Sequence, residues 1–494
     1  MELTPRQLDR ALGAVMGGAV GDALGAGFEF GPPLADDAEV EPVGGGPFGW
    51  GPGSWTDDTQ LASAVVLAAA GGDFSVAAVA DAFLTWFRAG PVDVGNQTRG
   101  ALAAATSAAD LASGARQYQL AHPDAAGNGS LMRTGPVALT ALDDADLVAR
   151  RADEISTLTH PHPDCVAACI LWSLAIRELV TRDHDGPPWQ GWVSLLEQGL
   201  PWVAEPARSR WRDYLRDGPT RPPRIFAANN GWVVDALRQV VSVLAATPVP
   251  AGAAAPGHLA DCLRTLVRGG GDTDTVAAIG GALLGAAWGA TALPAQWRLD
   301  LHGDAPTGAS VTRMSGVQLE TAARLAVKGG RTDKQGWPGM ASLLPRYRMV
   351  ENARRRTVTV EPGVVFGTVT SLPSVLEGAA APFTVISLCR VGTADVPLPH
   401  RLLPVSLIDN DHDNAHLAFV LADTADVTEH LHLRAKPVFV HCVKAERRTP
   451  AVLATFLARH RDQPVDAAIA HAERAFRIQL PPGFRQGVEQ AAAL

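Results

Sequence analysis

Through the first two-thirds of the chain, apolar residues recur every three or four positions, the spacing of one face of an α-helix. The pattern predicts helices over 6–24, 59–70, 75–87, 98–112, 163–180, 231–244, 257–267 and 315–326, separated by Gly/Pro loops. Period-two runs are almost absent there. Residues 1–345 therefore read as an all-α domain whose functional groups sit on loops at helix ends. After Gly336-Trp337-Pro338-Gly339 the texture changes. The β-branched apolar runs 357–360, 383–388 and 437–440 alternate with helical candidates at 416–429 and 450–458. Such alternation predicts a smaller α/β domain with a mainly parallel sheet. The chain is thus multidomain, 1–345 followed by 346–494, with 346–356 as connector and no internal repeat.

The uncharged stretch 276–294 is long enough to suggest a membrane span. Its Gly280-Gly281, Gly285 and Gly289 make it weakly hydrophobic, so it reads as a core helix whose small residues let a neighbour approach. No membrane span is expected. Residues 183–224, rich in Trp and Pro, read either as a lid or as a tryptophan-capped surface loop. A net charge of −9 gives no electrostatic footprint for nucleic acid. Arg354-Arg355-Arg356 reads as solvated linker. Five cysteines, odd in number and unpatterned, build no disulfide framework and fit a reducing cytoplasm. The first residues lack the basic-then-apolar layout of a signal peptide.

Two acidic strings change the picture. Ser54-Trp55-Thr56-Asp57-Asp58-Thr59-Gln60 and Gly269-Gly270-Gly271-Asp272-Thr273-Asp274-Thr275 each precede a long apolar stretch. Paired carboxylates at the mouth of an apolar helix repel one another and resist desolvation unless a cation neutralises them. Helix capping accounts for one acid and one hydroxyl per string, but not for the doubling. Hard oxygen ligands suit Mg²⁺, Mn²⁺ or Ca²⁺.

With these strings the chain resembles the ADP-ribosylglycohydrolase family. The run Gly13 to Glu29 is similar to the family's first helix and acidic loop residue. Thr56-Asp57-Asp58 and Asp272-x-Asp274-Thr275 match its two metal strings, Gly127-Asn128-Gly129-Ser130-Leu131-Met132-Arg133 its glycine-rich loop, and Thr159-His160-Pro161-His162 its histidine motif. The ordered set covers roughly residues 1–340, where any one motif would be a weak signal. The resemblance implies that Thr56, Asp57, Asp58, Asp272, Asp274 and Thr275 hold two Mg²⁺ ions, with Mn²⁺ able to substitute. Asp58 would then take part in catalysis, and Glu29 would be the acid/base contact to the scissile bond. Asn128, Gly129 and Ser130 would donate to the ligand. His160 would orient it or serve as a structural histidine, and Asp22 would cap or brace the first helix. The partner implied is an ADP-ribosylated substrate, its acceptor open.

The run Val438-Phe439-Val440-His441-Cys442-Val443-Lys444-Ala445-Glu446-Arg447-Arg448-Thr449-Pro450 resembles the signature of tyrosine and dual-specificity phosphatases. In that signature, loop N–H groups and a helix N-terminus form a nest that holds phosphate and favours a thiolate. The resemblance implies Cys442 as nucleophile, Arg448 as oxyanion clamp, Thr449 as helper and Asp409, or else Asp411, as general acid. A phosphorylated substrate would follow. Ala445 and Arg447 stand where glycines are frequent, and Glu446 sets negative charge beside the intended anion. Three readings stay open: a Mg²⁺-dependent ADP-ribosyl hydrolase fused to a phosphatase, a recognition module with one or both sites inactive, and an unrelated Mg²⁺ hydrolase of a nucleotide metabolite.

Overall fold

The computed structural model describes residues 2–188, 190–347, 350 and 355–494. Of the expected connector 346–356, residues 348, 349 and 351–354 lie outside the described residues, and with them Arg354 of the arginine cluster. The chain divides into two compact units: 1–249, 257–293 and 300–332 form the first, and 250–256, 294–299 and 333–494 the second.

The first unit is helical. Its opening helix, Pro5–Gly25, starts with a capping box between Thr4 and Gln7 and carries Pro5 at its first turn, where a missing N–H costs nothing. Gly13, Gly17, Gly21 and Gly25 recur every four residues and line one face. That face packs antiparallel against the helix Thr273–Trp288, with backbone against backbone. A Cβ at Gly13 would lie 2.1 Å from Gly285 O, one at Gly17 2.2 Å from Gly281 O, and one at Gly25 2.5 Å from the Asp274 Cα. Any side chain would force the helices apart. The seam therefore delivers the C-terminal end of the first helix, with Asp22, to the start of the helix that carries Asp274. Thr273–Trp288 is buried throughout, as its small residues predicted.

The all-α expectation needs one correction. Strands β1 (His302–Thr307) and β2 (Ser310–Ser315) form an antiparallel hairpin around Gly308, which takes φ 68°. Pro306 and the absence of apolar alternation hid it from a period-two reading. Its role is local: Trp55 N donates to His302 O at 2.9 Å and Trp55 Nε1 to Asp304 O at 3.0 Å. A buried tryptophan is thereby fixed one residue before Thr56.

The second unit holds a five-stranded sheet in the order β3-β4-β7-β5-β6. The strands are β3 (Thr357–Glu361), β4 (Val364–Thr368), β5 (Thr384–Ser387), β6 (Arg401–Pro404) and β7 (Val438–Cys442). β3 runs antiparallel to β4 and the other pairings are parallel, so the sheet is mixed. Central β7 is fully buried. Its Val438 and Val440 face one apolar core, with Phe366 and Phe456, while Phe439 faces another, with Leu372 and Val385. Both faces are covered, as in layered α/β folds.

Candidate functional sites

Both acidic strings begin helices. Thr56 caps Asp57–Ala70, its hydroxyl accepting from Asp58 N, and Asp272 stands at the cap position of Thr273–Trp288. Thr275 Oγ1 donates to Asp58 Oδ1 at 3.3 Å, joining the two strings. Gly270 and Gly271 take φ 80° and 76°, and a Cβ on Gly271 would lie 2.4 Å from Ala227 O, so the glycine run is required there. The loop carrying Glu29 is pinned to the second string, since Phe30 N donates to Gly271 O (2.7 Å) and Gly271 N to Gly31 O (3.0 Å).

Asp22 corrects the sequence expectation. It lies on the first helix but braces the second: its carboxylate accepts from Thr56 N, Thr59 N (3.0 Å) and Thr59 Oγ1 (2.6 Å). A capping carboxylate here satisfies orphan N–H groups at the helix start.

The glycine-rich loop enters from the other side. Asn128 Nδ2 donates to Asp272 Oδ2 at 2.7 Å and to Asn230 O at 2.9 Å. Ser130 Oγ is buried and takes the Ser156 hydroxyl at 3.0 Å. His160 lies beneath the loop, its ring 3.1 Å from where a Gly129 Cβ would stand, and its Nδ1 is 2.7 Å from Thr159 Oγ1. Burial and the nearby Arg133 cation push its pKa far down, so the ring is neutral. Arg133 is itself buried, with its Nη2 on Thr159 Oγ1 and its guanidinium 4.6 Å from the Phe83 ring.

The electrostatics are those of stranded like charges. Burial, then Asp93, raises the Asp57 pKa, and burial, then Asp22, raises that of Asp58; Asp274 is raised by burial, then by Asp58. Glu29 is pushed up to about 9 by burial, then by Asp93 and Asp272. Asp58 Oδ2, Asp274 Oδ1 and Glu29 Oε2 are buried without a hydrogen-bond partner. Among the described residues, Asp22, Asp58 and Asp274 offer oxygens within 4.8 Å of one another, and so do Glu29, Asp272 and Asp274. Orphaned carboxylate oxygens that converge in trios fit a hard divalent cation, and Asp274 belongs to both. Asp57 belongs to neither trio.

Three contributors escaped the sequence reading. Asp93, on the loop before the helix Asn96–Ala103, has its pKa raised to about 6 by burial, then by Asp272. Asn230 holds the second string through Asp272 N (2.9 Å) and Gly270 O (3.1 Å); the turn-forming Asn229-Asn230-Gly231 was its only signal. A cavity of about 550 Å³ opens beside the glycine-rich loop, lined by residues that include Gly127, His162, Asp164 and Trp232.

In the second unit, Cys442 ends β7 and Arg448–His460 follows the loop. Cys442 Sγ accepts from Ala445 N at 3.3 Å, and Ala445 takes φ 52° where glycine is the usual residue. Glu446 and Arg447 are exposed. Arg448 Nε lies 2.8 Å from Asp409 Oδ1, and its Nη1 donates to Leu388 O and to Leu407 O (3.0 Å). Thr449 Oγ1 donates to Gly367 O at 3.3 Å. Asp411 lies instead against Gly483, where a Cβ would be 1.5 Å from its Oδ2.

Comparison with known proteins addresses the first unit. A family model described as ADP-ribosylglycohydrolase matches residues 3–333. The ADP-ribosylarginine hydrolase Tri1 of Pseudomonas putida (strain GB-1) is 30% identical over 307 residues, covering 60% of this chain and 75% of its own. The ADP-ribosyl-[dinitrogen reductase] glycohydrolase of Rhodospirillum rubrum is 31% identical over 305 residues, covering 60% and 92%. Among solved structures, a chain of an "ADP-ribosylglycohydrolase-related protein complex" is 27% identical with TM-score 0.49, covering 66% of this chain and 99% of that one. Human DUSP28 covers 28% of this chain and 93% of its own at 20% identity and TM-score 0.25, a likeness that establishes neither fold nor activity. On the match across residues 3–333, the chain belongs to the ADP-ribosylglycohydrolase family.

Proposed function

We propose that this chain is a Mg²⁺-dependent ADP-ribosyl hydrolase that releases ADP-ribose from a modified protein side chain. Arginine is the first acceptor to test, given the named activity of the Pseudomonas relative. The observation that carries the reading is the convergence of Asp58, Asp272, Asp274 and Glu29 around buried, unpartnered oxygens. Thr56, Asp57, Asp58, Asp272, Asp274 and Thr275 would hold two ions, with Asp22 and Glu29 within reach of the same oxygens. Bound there, the cations would order the ribose hydroxyls and stabilise developing charge. Glu29, beside Asp272 and Asp274 in one trio, would serve as the acid/base contact to the scissile bond. Asn128 orients Asp272, and His160 supports Gly129 from below as a neutral ring. The cavity beside Gly127 is large enough for part of a nucleotide.

For 346–494 we propose a phosphatase-like module acting on, or recognising, a phosphorylated group, with Cys442, Arg448, Thr449 and Asp409 at its loop. Recognition is favoured over turnover by one observation: the Thr449 hydroxyl, the group that would assist breakdown of a phosphocysteine, already donates to Gly367 O. The absence of a disulfide framework fits a cytoplasmic setting, and among the described residues no helix is long and apolar enough to cross a membrane. The test is incubation with ADP-ribosylated arginine, serine and nucleic-acid substrates, with and without Mg²⁺. Release of free ADP-ribose only with metal supports the reading; no release from any of them refutes it.

A further inference from the structure

Phe30 follows Glu29 and stands in the left-handed region at φ 57°. For a bulky residue that conformation is uncommon and strained. It persists because the backbone on either side is tied down: Phe30 N donates to Gly271 O, Gly271 N to Gly31 O, and Gly31 N to Phe28 O. Glycine would adopt the same turn without strain. The fold gains little from the aromatic ring, which is 66% exposed. Strained residues that the core does not need concentrate where a ligand is contacted.

We infer that Phe30 forms the apolar contact for the acceptor side chain that carries ADP-ribose, and so sets acceptor preference. The inference rests on the hydrolysis reading above. The acceptor it fits has an apolar stem ending in a cation. An aromatic face attracts a guanidinium or ammonium group. A neutral hydroxyl acceptor gains little from it. Contact with the stem is the same before and during bond cleavage, so its loss raises KM and leaves kcat alone.

The test compares the full chain with Phe30→Ala, Phe30→Leu and Phe30→Gly on an ADP-ribosylated arginine peptide and an ADP-ribosylated serine peptide, with free ADP-ribose binding followed by calorimetry. For the arginine peptide, Phe30→Ala and Phe30→Gly should raise KM by roughly 3- to 30-fold, with Phe30→Leu between them and the unsubstituted chain. The kcat and the ADP-ribose affinity should not move. Phe30→Gly should keep or raise Tm, because it removes the strain while deleting the contact; it separates lost recognition from lost folding. An unchanged KM, an equal loss of ADP-ribose affinity, or cleavage of the serine peptide alone overturns the inference while the hydrolysis reading stands. No release of ADP-ribose by the unsubstituted chain from either peptide overturns both.

Discussion

Thr275 Oγ1 donates to Asp58 Oδ1 across 3.3 Å, linking two acidic strings 217 residues apart. That bond satisfies one oxygen of Asp58; the other, Oδ2, is buried without a partner, as is Asp274 Oδ1. Buried unpaired polar oxygens of this kind destabilise the fold until a proton or a cation reaches them. The helix-on-helix glycine seam brings Asp22 beside the start of the Asp274 helix, and Asp22 in turn holds Thr56 N and Thr59 N at the start of the helix that carries Asp58.

Metal should therefore stabilise the protein. Adding Mg²⁺ or Mn²⁺ to chelator-treated protein should raise Tm, the linkage amounting to about 2.7 kcal/mol at 100-fold above Kd. Asp58→Asn and Asp274→Asn should lose that increment. In chelator, each should melt no lower than the unsubstituted chain, since one of several like charges is gone. Scanning calorimetry with and without metal decides it; a Tm indifferent to metal would count against the cation.

The pH dependence without metal follows from the raised carboxylates. Asp22 is raised to about 6 and Glu29 to about 9, above ordinary carboxyl values of 3.8 and 4.5. The folded state thus binds more protons than the unfolded chain, and stability falls as pH rises. It is fully present below about pH 4 for these groups and is lost progressively towards pH 9. Metal displaces those protons, so its apparent affinity should rise over the same range. Melting in chelator at about pH 5, 6.5 and 8 should give descending Tm values from this site, with Mg²⁺ flattening the trend.

Much of this site was legible because its chemistry is written in contiguous strings: Asp57-Asp58 and Asp272-x-Asp274 announce themselves by doubled charge before apolar helices. Asp93 and Asn230 do not. Each is a lone polar residue in a loop, and its meaning depends on tertiary proximity to Asp57 and Asp272, which no local period encodes. Asp22 was read on the correct helix with the wrong partner, because the antiparallel seam that brings its carboxylate to Thr56 is a long-range contact. The hairpin β1–β2 was invisible because Pro306 and polar residues break its alternation. β6 ends in Pro404, a residue that suits sheet edges and reads as a loop. β4 was passed over, although its buried Val364 and Phe366 match the β-branched and aromatic character of the strands that were found.

Glu29→Gln isolates proton transfer from binding. The amide keeps the shape and cannot donate an acidic proton, so hydrolysis should slow by about 10²–10⁴-fold, with ADP-ribose affinity unchanged. Because Glu29 also sits in a trio with Asp272 and Asp274, metal affinity should be measured on the same variant by calorimetry. Retained metal binding with slow turnover assigns Glu29 to proton transfer; loss of both assigns it to the cation.

Arg448 and Asp409 set the terms for any oxyanion in the second unit. The pair stands at 2.8 Å, yet the Nε–H is not aligned as a hydrogen bond, and Asp409 is 60% exposed. Such a solvent-facing ion pair contributes about 0.2–1 kcal/mol. A phosphate or tungstate approaching Cys442 must displace the carboxylate from the guanidinium, so Asp409→Asn should tighten oxyanion binding by up to roughly fivefold. Arg448→Lys should weaken it, since an ammonium cannot span Leu388 O, Leu407 O and a ligand together. Protection of Cys442 from alkylation reports the binding, because its Sγ lies within the loop, accepting from Ala445 N. Cys442→Ser should leave ADP-ribosyl hydrolysis untouched, since the acids proposed for that reaction all belong to the other unit. Should neither Asp409→Asn nor Asp409→Ala alter the protection that phosphate or tungstate gives Cys442, the carboxylate does not compete for the guanidinium. Arg448 would then be a strut between two loop carbonyls rather than a clamp for an anion.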